Sequence, residues 1–278
     1  MKRQDIIKFS IMSMLTFLMY LPTFIWMWDR WFEKESYYGH GILIPLVCGF
    51  LVWVKKDRLK KIIIKPDNLG WLFLGVGLFI HLVSSLWRIY FTSSFSIILT
   101  LVGIVLLFFG RKFLREVLFP IIFLVFMMPL PLIAIAGLTF RMKILAAKIA
   151  TLVVNMIGLQ AVRRGSLIIM QHAQLMVENP CSGLRSLISL LALGALIAYL
   201  KEMKLYKKFI IFFSSGILAI IGNVFRITFL CFMSEVYGPK FAAGIYEQFA
   251  GMMVFVIAFG GLIVVSRLLS STSSNKSA

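Results

Sequence analysis

Long apolar runs separated by short loops rich in lysine and arginine constrain this chain more than any motif in it. Phe9 to Trp28, Gly41 to Val54, Leu69 to Trp87, Phe91 to Phe109, Val117 to Ala136, Leu187 to Leu200, Phe209 to Met233 and Gly251 to Val265 are such runs. Crossing a bilayer takes roughly 20 predominantly apolar residues. With 60% hydrophobic residues over 278 positions and a mean hydropathy of +0.95, the chain is too apolar for a soluble domain. Backbone polar groups in lipid must be paired within their own segment, so crossing segments are helical. The sequence therefore predicts an all-α polytopic membrane protein with about eight transmembrane helices. It is expected as one membrane domain over residues 1–269, with a Ser-rich disordered cytoplasmic tail over 270–278.

Charge orders these runs. A net charge of +18 and a pI of 10.1 would suit a nucleic-acid binder, but the basic residues sit in short loops between apolar runs. There they read as topology signals and anionic-lipid contacts, and no nucleic-acid partner is expected. Lys2, Arg3 and Lys8 place the N-terminus in the cytoplasm, and the cluster from Lys55 to Lys65 and the group Arg111, Lys112 and Arg115 also belong inside. Phe9 to Trp28 is too long, and lacks the small-residue exit, for a cleavable signal, so it reads as a retained span.

Gly137 to Leu159 is interrupted by Arg141, Lys143 and Lys148. A crossing there would turn Lys201 to Lys208 outward, so this segment is expected as an amphipathic or re-entrant helix at the outer face. Arg163 to Pro180 then also lies outside, where Leu167 to Met170 and Gln174 to Val177, around Gln171 and His172, are compatible with a small β-hairpin. Both termini are expected to be cytoplasmic. This ordering, made on loop charge alone, sends Cys181, Arg185, Arg226, Glu247 and His172 to the outer face of the membrane.

The candidate chemistry starts from Asn179-Pro180-Cys181-Ser182-Gly183-Leu184-Arg185. A cysteine at a helix start is favoured as thiolate, and a thiolate beside arginine is the minimum of a cysteine nucleophile. Four residues separate Cys181 from Arg185, so on a helix they share a face. Asn223 and Arg226 share one as well. An arginine inside an apolar helix is costly and marks a functional hypothesis. It can hold a thiolate or stabilise an oxyanion, but not act as a general base. Equally, Arg226 could pair with a carboxylate or with helix carbonyls for structural reasons alone. Cys48 and Cys231 read as small core residues. The three cysteines have no metal-ligand spacing and make no complete disulfide framework, so no metal or cofactor is expected. His40, His81 and His172 map to the outer half as candidate bases or interfacial polar residues. Glu247 is either a solvated loop acid or an orienting partner for Arg226.

Taken together, Cys181-Ser182-Gly183-Leu184-Arg185-Ser186-Leu187 and Asn223-Val224-Phe225-Arg226-Ile227 resemble the exosortase/archaeosortase family of membrane-embedded cysteine transpeptidases. Weaker support comes from Tyr38-Gly39-His40-Gly41 with Pro45, from Met128-Pro129-Leu130-Pro131, and from the order Gly238, Phe241, Gly244, Gly251. The resemblance runs from about Gly39 to Phe255 and implies a protein-sorting enzyme of the cytoplasmic membrane. Its partners would be exported proteins ending in a short motif such as Pro-Glu-Pro, a transmembrane helix and a basic tail, besides membrane lipids. By motif match Cys181 would be the nucleophile, through an acyl-thioester, and Arg226 the proton donor or charge-stabilising group. Where the family places a histidine or arginine ahead of the last span, this sequence offers Glu247. A carboxylate cannot stabilise an oxyanion and would raise the pKa of a nearby thiol. The alternatives are that Glu247 orients Arg226, that His172 or His40 takes the role, or that the activity is altered. Arg185, Asn223, His172 and His40 are the candidate substrate-binding residues. A reading from another class is a non-enzymatic transporter or polysaccharide-export component whose arginines bind an anionic substrate. Transporters, however, carry polar groups near the bilayer midplane and inverted repeats, and no repeat is visible here.

Overall fold

The computed structural model describes residues 3–178, 182–238 and 245–274, the backbone alone at 245–248 and 271–274. The chain divides at Pro131 into two compact units, Met1–Pro131 and Leu132–Ala278.

In the first unit, the run expected as one span from Phe9 to Trp28 is two helices, α1 (Arg3–Met19) and α2 (Leu21–Phe32), bent by 56°. Pro22, in the first turn of α2, has no amide to continue the α1 ladder. Then come α3 (Leu43–Val54), the short α4 (Lys56–Lys60), α5 (Leu69–Leu86), α6 (Tyr90–Phe109) and α7 (Arg111–Phe123), which ends in a 3-10 turn, Leu124–Met127. α5 and α6 pack so closely that a Cβ on Gly77 would lie 2.5 Å from the Thr100 hydroxyl. The bend at Tyr20 is held by buried hydroxyls: Tyr20 Oη lies 2.7 Å from Ser96 Oγ and 2.9 Å from Thr100 Oγ1. His81 joins the same network, 2.8 Å from Ser93 Oγ and 3.1 Å from the Met19 carbonyl, so this histidine is a structural polar group of the helix core. Inside α7, Pro120 cannot bond the Glu116 carbonyl one turn back. Lys55 Nζ supplies that donor at 2.9 Å and also reaches the Glu116 carboxylate at 3.1 Å.

The second unit opens with α8 (Leu132–Met156) and a three-stranded antiparallel sheet, β1 (Val162–Arg164), β2 (Leu167–Ile169) and β3 (Gln174–Met176). It closes with α9 (Leu184–Leu200), α10 (Leu205–Tyr237) and α11 (Ile245–Ser274). Ile168, Met170, Ala173 and Val177 of the sheet pack against Ala146, Ala147, Ala150 and Val154 of α8 and against Val224, Ile227 and Cys231 of α10. The expected hairpin is present, with Ile168 opposite Leu175. β1 is an added strand that the polar Val162-Arg163-Arg164 did not announce.

Helices account for most of the chain, and among the described residues the expected eight spans are matched only in part. Four helices among the described residues are long and apolar enough to cross a membrane, or up to six crossings if each of two bent pairs is one span. Val117 to Ala136 is not one helix: α7 stops at Phe123, and Leu132 after Pro129 and Pro131 begins α8, which includes the segment expected to start at Gly137. α3, with 12 residues, and α9, with 17, are short apolar helices. α11 continues through 270–274, into the stretch expected as a disordered tail, while 275–278 lie outside the described residues.

Candidate functional site

Cys181 lies outside the described residues, but the chain on its C-terminal side is fixed. Ser182 is fully buried and its Oγ accepts from the Leu184 amide at 3.3 Å. Gly183 has φ +82°, a left-handed conformation open to glycine, and a Cβ there would stand 2.6 Å from Asn223 Cγ. Glycine is thus required twice, by backbone angle and by the side chain it meets. Asn223, 4% exposed on α10, is the surface on which the Ser182-Gly183 step sits. One turn further along α10 comes the half-buried Arg226. The bare backbone of Gly251 on α11 faces its guanidinium, a Cβ there falling 3.5 Å from Arg226 Cζ. The chain segment next to Cys181 and the Asn223-to-Arg226 segment, far apart in sequence, therefore meet in one unit.

α9 begins only at Leu184, after the left-handed Gly183. The one-turn helical relation expected between Cys181 and Arg185 involves a residue outside the described ones; of the residues between them, Gly183 is left-handed. Arg185 is exposed in the first turn of α9. The Glu247 side chain is outside the described residues. Its backbone lies in the first turn of α11, one turn before Gly251.

His172 sits in the turn between β2 and β3, exposed, with Nδ1 2.8 Å from Glu235 Oε1. Its backbone amide donates to the same carboxylate at 3.0 and 3.1 Å. Glu235, with an 8% exposed side chain near the end of α10, is the residue sequence reasoning passed over. The available signal was an acid inside an apolar helix, nine positions after Arg226.

His40 belongs to the first unit. It bonds the Phe126 backbone, and burial lowers its pKa below the ordinary 6.5 while that bond opposes the shift. Around it, Trp31 Nε1 donates to the Met127 carbonyl at 2.8 Å and the Leu130 amide donates to Tyr38 Oη at 3.2 Å. Tyr38-Gly39-His40-Gly41 and Met128-Pro129-Leu130-Pro131, separate in sequence, thus form one packed corner. Among the described residues no three His, Cys, Asp or Glu side chains group as metal ligands.

Comparison with curated proteins and with solved structures returns no match. The family model of the transmembrane exosortase matches residues 28–264. That range contains the Ser182-Gly183 step, Asn223, Arg226 and the Tyr38 corner, and it covers most of the chain: the protein belongs to the transmembrane exosortase family.

Proposed function

We propose that the protein is a membrane cysteine transpeptidase or protease that cleaves the C-terminal sorting signal of exported proteins, with Cys181 as nucleophile. The observation that carries this reading is the seating of Ser182-Gly183 on Asn223, one helical turn from Arg226, in a chain of the exosortase family. The Cys181 thiolate adds to the scissile carbonyl, and the guanidinium of Arg226 stabilises the oxyanion that forms. The C–N bond then breaks, the signal departs as an amine that takes up a proton, and a thioester remains. An acceptor nucleophile or water releases it. Arg185, exposed at the start of α9, is the cation available to an acidic residue of the signal. His172 is a further candidate substrate contact of this unit, His40 is a candidate considered by itself in the first unit, and Glu247 is the candidate orienting group for Arg226. Loop charge puts this chemistry on the outer face of the cytoplasmic membrane.

Cys181→Ala and Cys181→Ser are expected to insert normally while unprocessed substrate accumulates in the membrane fraction, as followed by immunoblot of a tagged substrate. Normal processing by either variant would refute the nucleophile assignment. Arg226→Lys should fail as well, since lysine offers a point charge in place of a planar fork.

A further inference from the structure

A cavity of about 190 Å³ opens beside Ser182, wholly within the second unit. Its walls are Leu138, Met142, Leu145 and Ala146 of α8, Leu187 of α9 and Ile220 of α10; Ser182 and Asn223 form its one polar end. Among the described residues no charged side chain lines it. We propose that this cavity, which adjoins the Ser182–Asn223 seat, receives the side chain next to the scissile bond and selects an uncharged aliphatic or aromatic residue of up to about benzyl size. The inference rests on Cys181 being the nucleophile.

Two magnitudes set the ligand class. Apolar cavities of about 150 Å³ admit benzene, so this volume holds one such side chain and not two. A charged group entering it would give up its hydration for walls that offer only a hydroxyl and an amide, which excludes acidic and basic residues. Position sets the role: consecutive Cα atoms lie about 3.8 Å apart, so a carbonyl held at Cys181 brings its neighbouring side chain within reach of a cavity that begins at Ser182. Size discrimination follows, each methylene buried in the cavity being worth about fourfold in rate.

The test requires no knowledge of the natural substrate. Purified full-length protein is treated with methyl, ethyl, propyl, butyl and benzyl methanethiosulfonates, and modification of Cys181 is timed by peptide mass mapping, which separates it from Cys48 and Cys231. In each reaction the Cys181 thiolate attacks the sulfenyl sulfur; the new S–S bond forms, the S–SO2 bond breaks and methanesulfinate leaves. The rate is expected to climb about fourfold per methylene until the cavity is filled. Partition of the reagent into detergent would give a similar slope, so the decisive comparison is between variants. Ala146→Leu fills the cavity and should flatten the series while the methyl reagent reacts as before. Met142→Ala, at a half-buried position, enlarges it and should move the optimum to longer chains. A slope unchanged in both variants overturns the pocket, leaving only partition or a lipid-facing groove. A Cys181 inert to every reagent overturns the nucleophile reading and the pocket with it.

Discussion

Gly183 and Gly251 make opposite demands at the candidate site. At Gly183, φ is +82° and a Cβ would stand 2.6 Å from Asn223 Cγ; at Gly251 the new atom would stand 3.5 Å from Arg226 Cζ, an ordinary contact. Gly183→Ala should therefore strain the backbone by about 1–3 kcal/mol, displace Asn223 and abolish processing. Gly251→Ala should retain most activity. Parallel substrate-processing assays on membranes holding equal amounts of inserted protein check the pair; loss in both, or in neither, would contradict the packing described. The importance of Gly183 was legible as part of a motif. Its left-handed angle was not, because no residue pattern before α9 distinguishes a helical glycine from a left-handed one.

His40 carries a pH signature of its own. Burial under the 3-10 turn favours the neutral ring, so the folded pKa lies below the unfolded value of about 6.5. As pH falls, the unfolded chain binds the proton first. The stability tied to the neutral ring is therefore complete above about pH 6.5 and is lost as pH drops through the lower folded value. The thermal midpoint of the detergent-solubilised protein is expected to fall over that window, and to fall less in His40→Gln. Identical falls would assign the effect to another group.

Among the elements, the β2–β3 hairpin was predictable from two short apolar stretches around Gln171 and His172, whereas its attachment was not. Hydropathy shows Glu235 only as an acid near the end of a helix. In the fold it accepts from the His172 amide and meets the His172 ring, fixing the turn to α10 while Ile168 and Val177 bury against the same helix. β3 ends five residues before Cys181, so the clamp restrains one end of the segment whose other end is seated on Asn223. Glu235→Ala removes the acceptor of the exposed His172 amide, which water can replace, at a net cost of about 0.5–1.5 kcal/mol. Glu235→Gln keeps a neutral acceptor and should cost less. Hydrogen exchange at His172 and along β2 and β3 is expected to speed up strongly in the alanine variant and mildly in the glutamine variant. Equal protection in both would show that apolar burial alone holds the hairpin.

Over the whole molecule, four apolar runs free of proline translated directly into α5, α6, α10 and the membrane-length part of α11, because hydropathy suffices where no proline intervenes. The runs that did not translate contain Pro22, or Pro120, Pro129 and Pro131, and two are simply short: α9 has 17 residues and α3 has 12, about 18 Å of helix against a hydrocarbon core of about 30 Å. On that length alone α3 would dip into the bilayer and return, leaving the Lys34 loop and the Lys55-to-Lys65 cluster on the same side. Loop charge argues the reverse, since six basic residues in that cluster belong inside while the acidic loop before α3 does not. A short helix can still complete a crossing where the bilayer thins and flanking lysines extend to the headgroups, at a modest cost per ångström. The charge argument is therefore expected to prevail. Lys34→Cys and Lys61→Cys, each in a background with Cys181 replaced by alanine, should react with an impermeant maleimide from opposite sides of sealed vesicles. Labelling of both from one side would make α3 re-entrant and shift every later segment, the candidate site included, to the other face.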